Sequence, residues 1–253
     1  MSSAARSSLV KELRELAATS LQPLPDYQCL SGMPDALNDK LIVTMRDDAT
    51  GRVAAFVSAV YMQIALRAGD PPRTVLHMGL TCIAPALRRQ GLMVPLFMHL
   101  YIYLHDLPEC HDGLWITSLA EVPSTLGKIA EGMVDVYPSP SFPEPSDVHL
   151  RIARAVDERY RSAMGISPDA QFDAENFVFR GSNPPGSCFR KDSEDPQFYH
   201  RDAEINEFYR RLLGRDEGNE VLQVGFLDWE RILGSGRKHA QTESYTDEVK
   251  TKL

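Results

Sequence analysis

The sequence predicts a mixed α/β fold, with one sheet and helices packed against it. Three observations carry that prediction. Strand-length apolar runs alternate with segments whose apolar residues recur at helical spacing. The run RTVLHMGLTCIAP, residues 73–85, is apolar at nearly every position, as expected of a central strand covered on both faces. The late run VLQVGFL, residues 221–227, would make a poor exposed edge by itself, so it belongs to the same sheet. At 253 residues the chain is long enough for one large domain, or a core with a substantial appendage.

Each element follows from local pattern. SSLVKELRELAATSL spaces Leu9, Leu13, Leu16 and Leu21 for an amphipathic surface helix. KLIVTMRD and RVAAFVSAVYMQIAL flank DATG, which reads as two strands joined by a tight turn. GDPP breaks the chain before the central strand. ALRRQGLMVPLFMHLYIYLHD is helical by length and spacing, provided Pro95 falls in its first turn or two. GLWITSLAEV is another buried strand, and PSTLGKIAEGM is a short helix opening near Pro123-Ser124.

Past Tyr137 the texture changes. YPSPSFPEPSD is a proline-rich surface loop, and SDVHLRIARAVDERYRSAM is a helix whose Ser/Asp start supplies the cap. ENFVFRG is a short strand, SNPPGS a turn, EINEFYRRLL a helix and NEVLQVGFLDW a strand; the tail from Gly234 is polar and expected to be mobile. The expected organisation is a lead-in over 1–39, a core over 40–138, an elaboration over 139–233 that returns strand 221–227, and a polar tail over 234–253.

Composition excludes several classes. A net charge of −8 works against sequence-independent nucleic-acid binding, which rewards basic surfaces. The four cysteines, Cys29, Cys82, Cys110 and Cys188, form no C-x-x-C pair, so neither a disulfide framework nor a zinc site is expected and an intracellular setting is favoured. No signal-peptide core or membrane-length apolar run is visible, which points to a cytoplasmic protein without membrane partners. His99, His105, Cys110 and His111 do not share one face well, so no metal is expected. No Walker, Rossmann or nucleophile-elbow motif is present. Oligomeric state is left open.

The stretch CIAPALRRQGLMVPLF, from Cys82 to Phe97, carries the functional signal. A helix N-terminus presents unpaired amides and partial positive charge, which together suit phosphate. Gly91 permits close backbone approach, and Arg88 and Arg89 add charge-assisted donors. The preceding Thr81-Cys82-Ile83 can pair its backbone with an extended ligand if the neighbouring strand splays away. The expected ligand has a pyrophosphate end and an amide-bearing arm.

Pro85-x-x-Arg88-Arg89-Gln90-Gly91-Leu92-Met93 resembles the acyl-CoA-binding motif of the GNAT N-acetyltransferase superfamily, (Arg/Gln)-x-x-Gly-x-(Gly/Ala). Arg88 and Gly91 match, and Met93 stands where Gly or Ala is preferred. The resemblance in element order covers about Lys40 to Pro138, with the late strand added. It implies a GNAT-like, mostly antiparallel sheet flanked by helices, with the sequence after Pro138 as a largely helical elaboration. Acetyl-CoA or another acyl-CoA is the implied co-substrate, held by Cys82, Ile83, Arg88, Arg89, Gln90, Gly91, Leu92 and Met93. In histone-modifying members a glutamate lies eleven residues before the motif; here that position is His77. Simple strand alternation places His77, Gly79 and Thr81 on one face, with His77 as base and the Thr81 amide or hydroxyl, or the Cys82 amide, at the thioester oxygen. Many members carry an acidic tyrosine in the helix after the next strand. That helix offers Ser124, a further cofactor contact, and no tyrosine, so Tyr137 just beyond it is the nearest phenol. Glu121 is a second candidate base.

Two classes remain open. One is an acyl-CoA-dependent N-acyltransferase, acting by direct attack of a small-molecule or peptide amine. The other is a GNAT scaffold that decarboxylates or hydrolyses an acyl thioester without amine transfer, or that binds CoA without catalysis.

Overall fold

The computed structural model describes residues 1–232; the tail expected from Gly234 lies outside the described residues. Helix α1 (Ser3–Ala18) is capped by the Ser2 hydroxyl, which accepts from the Ala5 amide at 3.3 Å. Its Leu13, Leu16 and Ala17 pack onto Phe56 and Cys82, and a single 3-10 turn, Gln28–Leu30, follows.

Strands β1 (Lys40–Arg46), β2 (Val53–Ile64) and β3 (Arg73–Ile83) are antiparallel neighbours. The Asp47 carboxylate closes the first hairpin by accepting from the Thr50 amide and hydroxyl. After β3 come a 3-10 turn (Pro85–Leu87) and an irregular turn over 88–92, and only then α2 (Met93–His105). The helix thus starts later than the sequence pattern predicts. Arg89 (φ +63) and Gly91 (φ +76) both adopt left-handed backbone, which no α-helix accommodates. Pro95 lands in the first turn, where its missing N–H breaks no intrahelical bond.

Strand β4 (Leu114–Ala120), α3 (Pro123–Gly132) and β5 (Val134–Tyr137) follow. Helices α4 (Asp147–Ala155) and α5 (Arg161–Met164) join through a π-helical turn at Val156–Tyr160, filling the predicted helix. The hairpin β6 (Gln171–Asp173) and β7 (Val178–Arg180), α6 (Ala203–Leu213) and β8 (Glu220–Leu227) come next. The sequence pattern shows neither β5 nor β6, because strands this short carry too few alternations to stand out unless, like Val178-Phe179 of β7 after Phe177, they form an unbroken apolar run. The stretch after Pro138 therefore adds a hairpin as well as helices.

The sheet order is β1-β2-β3-β4-β8-β7-β6, with β5 against β8. Among the described strands only β3 and β4 run parallel. One face buries Leu96, Leu100 and Leu104 of α2 against Ala55, Val57, Ala59 and Leu76. The opposite face takes α1 over Phe56, and Ile152 and Val156 over Met62, Ile64 and Val75. Cover on both faces is why β2, β3 and β4 are apolar at consecutive residues.

Candidate active site

Strands β3 and β4 pair only from Val75–Trp115 to Met78–Ser118, although β3 continues to Ile83 and β4 to Ala120. Beyond Met78 the inner edge of β3 has no strand partner, so its backbone groups are open to an extended ligand. This notch opens onto the turn between β3 and α2. There the amides of Arg89, Gln90, Gly91 and Leu92 find no acceptor among the described residues. Successive free amides around left-handed residues form an anion-binding concavity, and the α2 N-terminus adds its dipole. At Gly91 a Cβ would meet nothing within 4 Å, so the turn needs glycine for its φ rather than for room.

The side chains of the turn divide the work. Arg88 ties the turn back to the body: its Nε donates to the Ile83 carbonyl at 3.3 Å and its guanidinium to the Ser20 hydroxyl. Gln90 donates to the Ala86 carbonyl at 3.1 Å. Arg89 is exposed and has no partner among the described residues. Met93, where the motif prefers a small residue, is 45% exposed and enters no core.

Strand β3 carries a bulge that simple alternation does not foresee. Val57 pairs with Thr81 and Ala59 with Met78, so β3 spends an extra residue between them. Paired residues point to the same face, and Val57 and Val60, the partners of Thr81 and His77, point to opposite faces. The expectation that His77 and Thr81 share a face is thereby overturned. Thr81 looks toward the α2 side. His77 and Cys82 look toward the side covered by α1 and α4, with Cys82 buried beside Phe56 and Ile83 on the α2 side.

His77 is 2% exposed, and its Nδ1 lies 2.9 Å from the Thr117 hydroxyl. Burial pushes its pKa down to about 3, so the ring is neutral at physiological pH and a weak base. Tyr137 lies three strands further across the sheet, in the row His77–Thr117–Val224–Tyr137. Its hydroxyl donates to the Glu175 carbonyl at 2.6 Å, and its ring packs on Phe177. Ser124 stands in the first turn of α3, just past the end of β4.

A different pair of groups gathers past the end of β4. Glu121 follows β4 and Glu220 opens β8, next to the Ala120–Val221 pair. Glu121 is buried and accepts from the Gly218 amide at 2.5 Å and from Asn183 at 3.3 Å. Glu220 accepts from the Ser182 hydroxyl at 2.5 Å. Loss of solvent raises both carboxyls to about 7, opposed in each case by those hydrogen bonds. Tyr27 borders them: desolvation and the Glu220 charge raise its phenol well above the usual value. Sequence reasoning missed Glu220 and, beside Gly79, Gln28. A strand-end carboxylate next to an apolar run was a usable signal for Glu220; Gln28, in a short loop turn, carries none.

A mostly antiparallel sheet with helices on both faces, whose one parallel pair parts over the Arg88–Met93 turn, is the GNAT-like architecture that the motif implies. Among solved structures, a Vibrio fischeri acetyltransferase is similar at 14% identity and TM-score 0.34, over 47% of this chain and 90% of that one. Arabidopsis thaliana NAA60, in complex with a bisubstrate analogue, is similar at 16% identity and TM-score 0.35, over 49% and 78%. GphF, a GNAT-like decarboxylase in complex with isobutyryl-CoA, is similar at 13% identity and TM-score 0.41, over 87% and 96%. No protein-family model matches the chain, and no curated protein does. Among the described residues no helix is long and apolar enough to cross a membrane.

Proposed function

We propose that this protein binds an acyl-CoA and transfers its acyl group to an amine. The observation that carries the reading is one coincidence: the free amides of residues 89–92 stand where β3 and β4 part. In this reading the pyrophosphate sits on the turn, with the exposed Arg89 as its counter-charge and Arg88 holding the turn in place. The pantetheine arm runs along β3 past Cys82 and Ile83, and Met93 lies beside the phosphates. Ser124 borders the arm from α3.

The thioester then rests near the β3 bulge, facing Glu121. A carboxyl that titrates near 7 is matched to take an ammonium proton at physiological pH, whereas His77 is too weakly basic. We therefore assign the base to Glu121 and leave His77 to orient β4 through Thr117. Glu121 takes the ammonium proton, and the neutral amine attacks the thioester carbonyl. As the zwitterionic tetrahedral intermediate collapses, its nitrogen gives up a second proton to the departing thiolate, while Glu121 returns the first to solvent. The acceptor is a small-molecule or peptide amine, admitted past Tyr27 and Glu220.

One observation favours the second reading. The Tyr137 hydroxyl is committed to Glu175 and α3 has no tyrosine, so neither of these positions offers a phenol to the departing thiolate. Decarboxylation of an acyl thioester expels no thiolate and needs no such acid. Incubation with acetyl-CoA and malonyl-CoA, with and without an amine pool, separates the two by product mass. Thioester loss only with amines supports transfer; carbon dioxide release from malonyl-CoA alone supports decarboxylation. Absence of CoA binding by calorimetry refutes both.

A further inference from the structure

We propose that the Gln28 carboxamide is a substrate contact, donating a hydrogen bond to the thioester carbonyl of the bound acyl-CoA; this rests on the acyl-CoA reading above. Gln28 is only 6% exposed, and neither amide atom has a hydrogen-bond partner. Such an orphaned amide is costly in a folded interior, because it gives up its hydrogen bonds to water and gains none in return. Its backbone adds to that, for Gln28 holds φ +50, a left-handed conformation costly to a non-glycine residue. Two unfavourable features at one residue persist where something else gains from them.

The position of the amide says what gains. Oε1 lies 2.2 Å from where a Cβ on Gly79 would stand, so only glycine at that point of β3 admits the side chain. Gly79 is the first β3 residue beyond the last pair with β4, at the bulge where the notch begins. The other polar group there is already engaged: the Ser58 hydroxyl accepts from the Leu80 amide at 3.0 Å and donates to the Leu80 carbonyl at 3.3 Å. The carboxamide is left as the uncommitted donor at the inner end of the notch. Rotation of the amide exchanges its oxygen and nitrogen within the same space, so either can face the ligand. A thioester carbonyl is an acceptor alone and takes the N–H. Free CoA has no such oxygen, so Gln28 distinguishes the loaded carrier from the spent one.

The test compares acetyl-CoA with S-ethyl-CoA, which keeps the chain length and lacks the carbonyl, by calorimetry on the wild type and Gln28→Met. The wild type should prefer acetyl-CoA by about 5- to 10-fold, the range of one hydrogen bond. Gln28→Met should bring the ratio near one, hold S-ethyl-CoA affinity, and melt no lower than the wild type because it removes an orphaned amide. An unchanged ratio overturns the proposal, and a lowered Tm with an unchanged ratio makes Gln28 structural. Should Gln28→Met not fold, Gln28→Leu, which fills similar space and supplies no donor, takes its place, and the same loss of preference is required of it. A wild type that binds both ligands equally refutes the Gln28 contact alone, whereas one that binds neither refutes the acyl-CoA reading itself.

Discussion

Gly91→Ala separates the shape of the phosphate turn from its stability. Gly91 has φ +76, and the added methyl would meet nothing within 4 Å, so no clash contributes. The cost is conformational, about 1–2 kcal/mol for an L-residue in left-handed backbone. At this chain length that lowers Tm by about 2–4 °C per kcal/mol. The turn can shed the strain by swinging residue 91 into right-handed backbone, which re-aims the Gly91 and Leu92 amides. A hydrogen bond to a charged group is worth about 1.5–3 kcal/mol, so losing one weakens CoA by roughly 10- to 100-fold. Gly69→Ala is the matched control. Gly69 has φ +85 with equally open surroundings, and lies before β3, at the end of that strand away from the notch. Calorimetry with CoA and thermal melts on both variants should show similar Tm losses and a CoA defect in Gly91→Ala only. Equal CoA affinity in the two variants would refute the phosphate turn.

Three further perturbations probe separate parts of the site. Arg89→Ala, which removes an exposed and unpartnered charge, should leave Tm unchanged, weaken CoA by about 3- to 10-fold and flatten the salt dependence of binding. Thr117→Val removes the only hydrogen-bond partner of the His77 ring among the described residues; Tm should fall by an amount corresponding to about 1–3 kcal/mol while CoA affinity holds. Glu121→Gln should cut turnover and abolish the limb of the pH–rate profile near 7. The same variant has a stability signature. The folded Glu121 carboxyl is raised from 4.5 to about 7, so the fold binds that proton more tightly than the unfolded chain does. Its stabilisation is complete below about 4.5 and is lost as pH rises to about 7. The Tm of the wild type relative to Glu121→Gln should therefore decline between pH 5 and pH 8, and a constant difference would rule out the shift.

The large elements were readable because their patterns are long. Eleven residues of β3 and twelve of β2, apolar on both faces, fit few alternatives to a covered strand. The Pro95 condition on α2 was also readable, since proline chemistry fixes where in a helix it can stand. What stayed hidden depends on neighbours. β5 is strand because β8 offers it an edge, and β6 because β7 does. The late start of α2 depends on two left-handed residues, of which only Gly91 is identifiable by type; Arg89 at φ +63 is not.

The bulge in β3 is the point at which sequence reasoning about the site had to fail. Period-two alternation is a rule about an uninterrupted strand, and one extra residue reverses every assignment beyond it. The signal was present in Gly79, a glycine inside an otherwise apolar strand, which commonly marks a bulge or a close approach. Here it marks both, since the strand gains its extra residue there and the Gln28 amide occupies the space of the missing Cβ. One glycine thus links three features: the shift of Thr81 away from His77, the end of β3–β4 pairing, and the burial of an amide without partners. Gly79→Ala should consequently do more harm than a strand glycine ordinarily does. Its methyl would overlap Gln28 Oε1 at 2.2 Å and Ser58 Oγ at 2.8 Å, and relief requires the carboxamide to leave the notch or the bulge to flatten. Either relief should lower acyl-CoA affinity together with Tm. A variant that binds acetyl-CoA normally would show that the bulge and the amide are independent of the ligand.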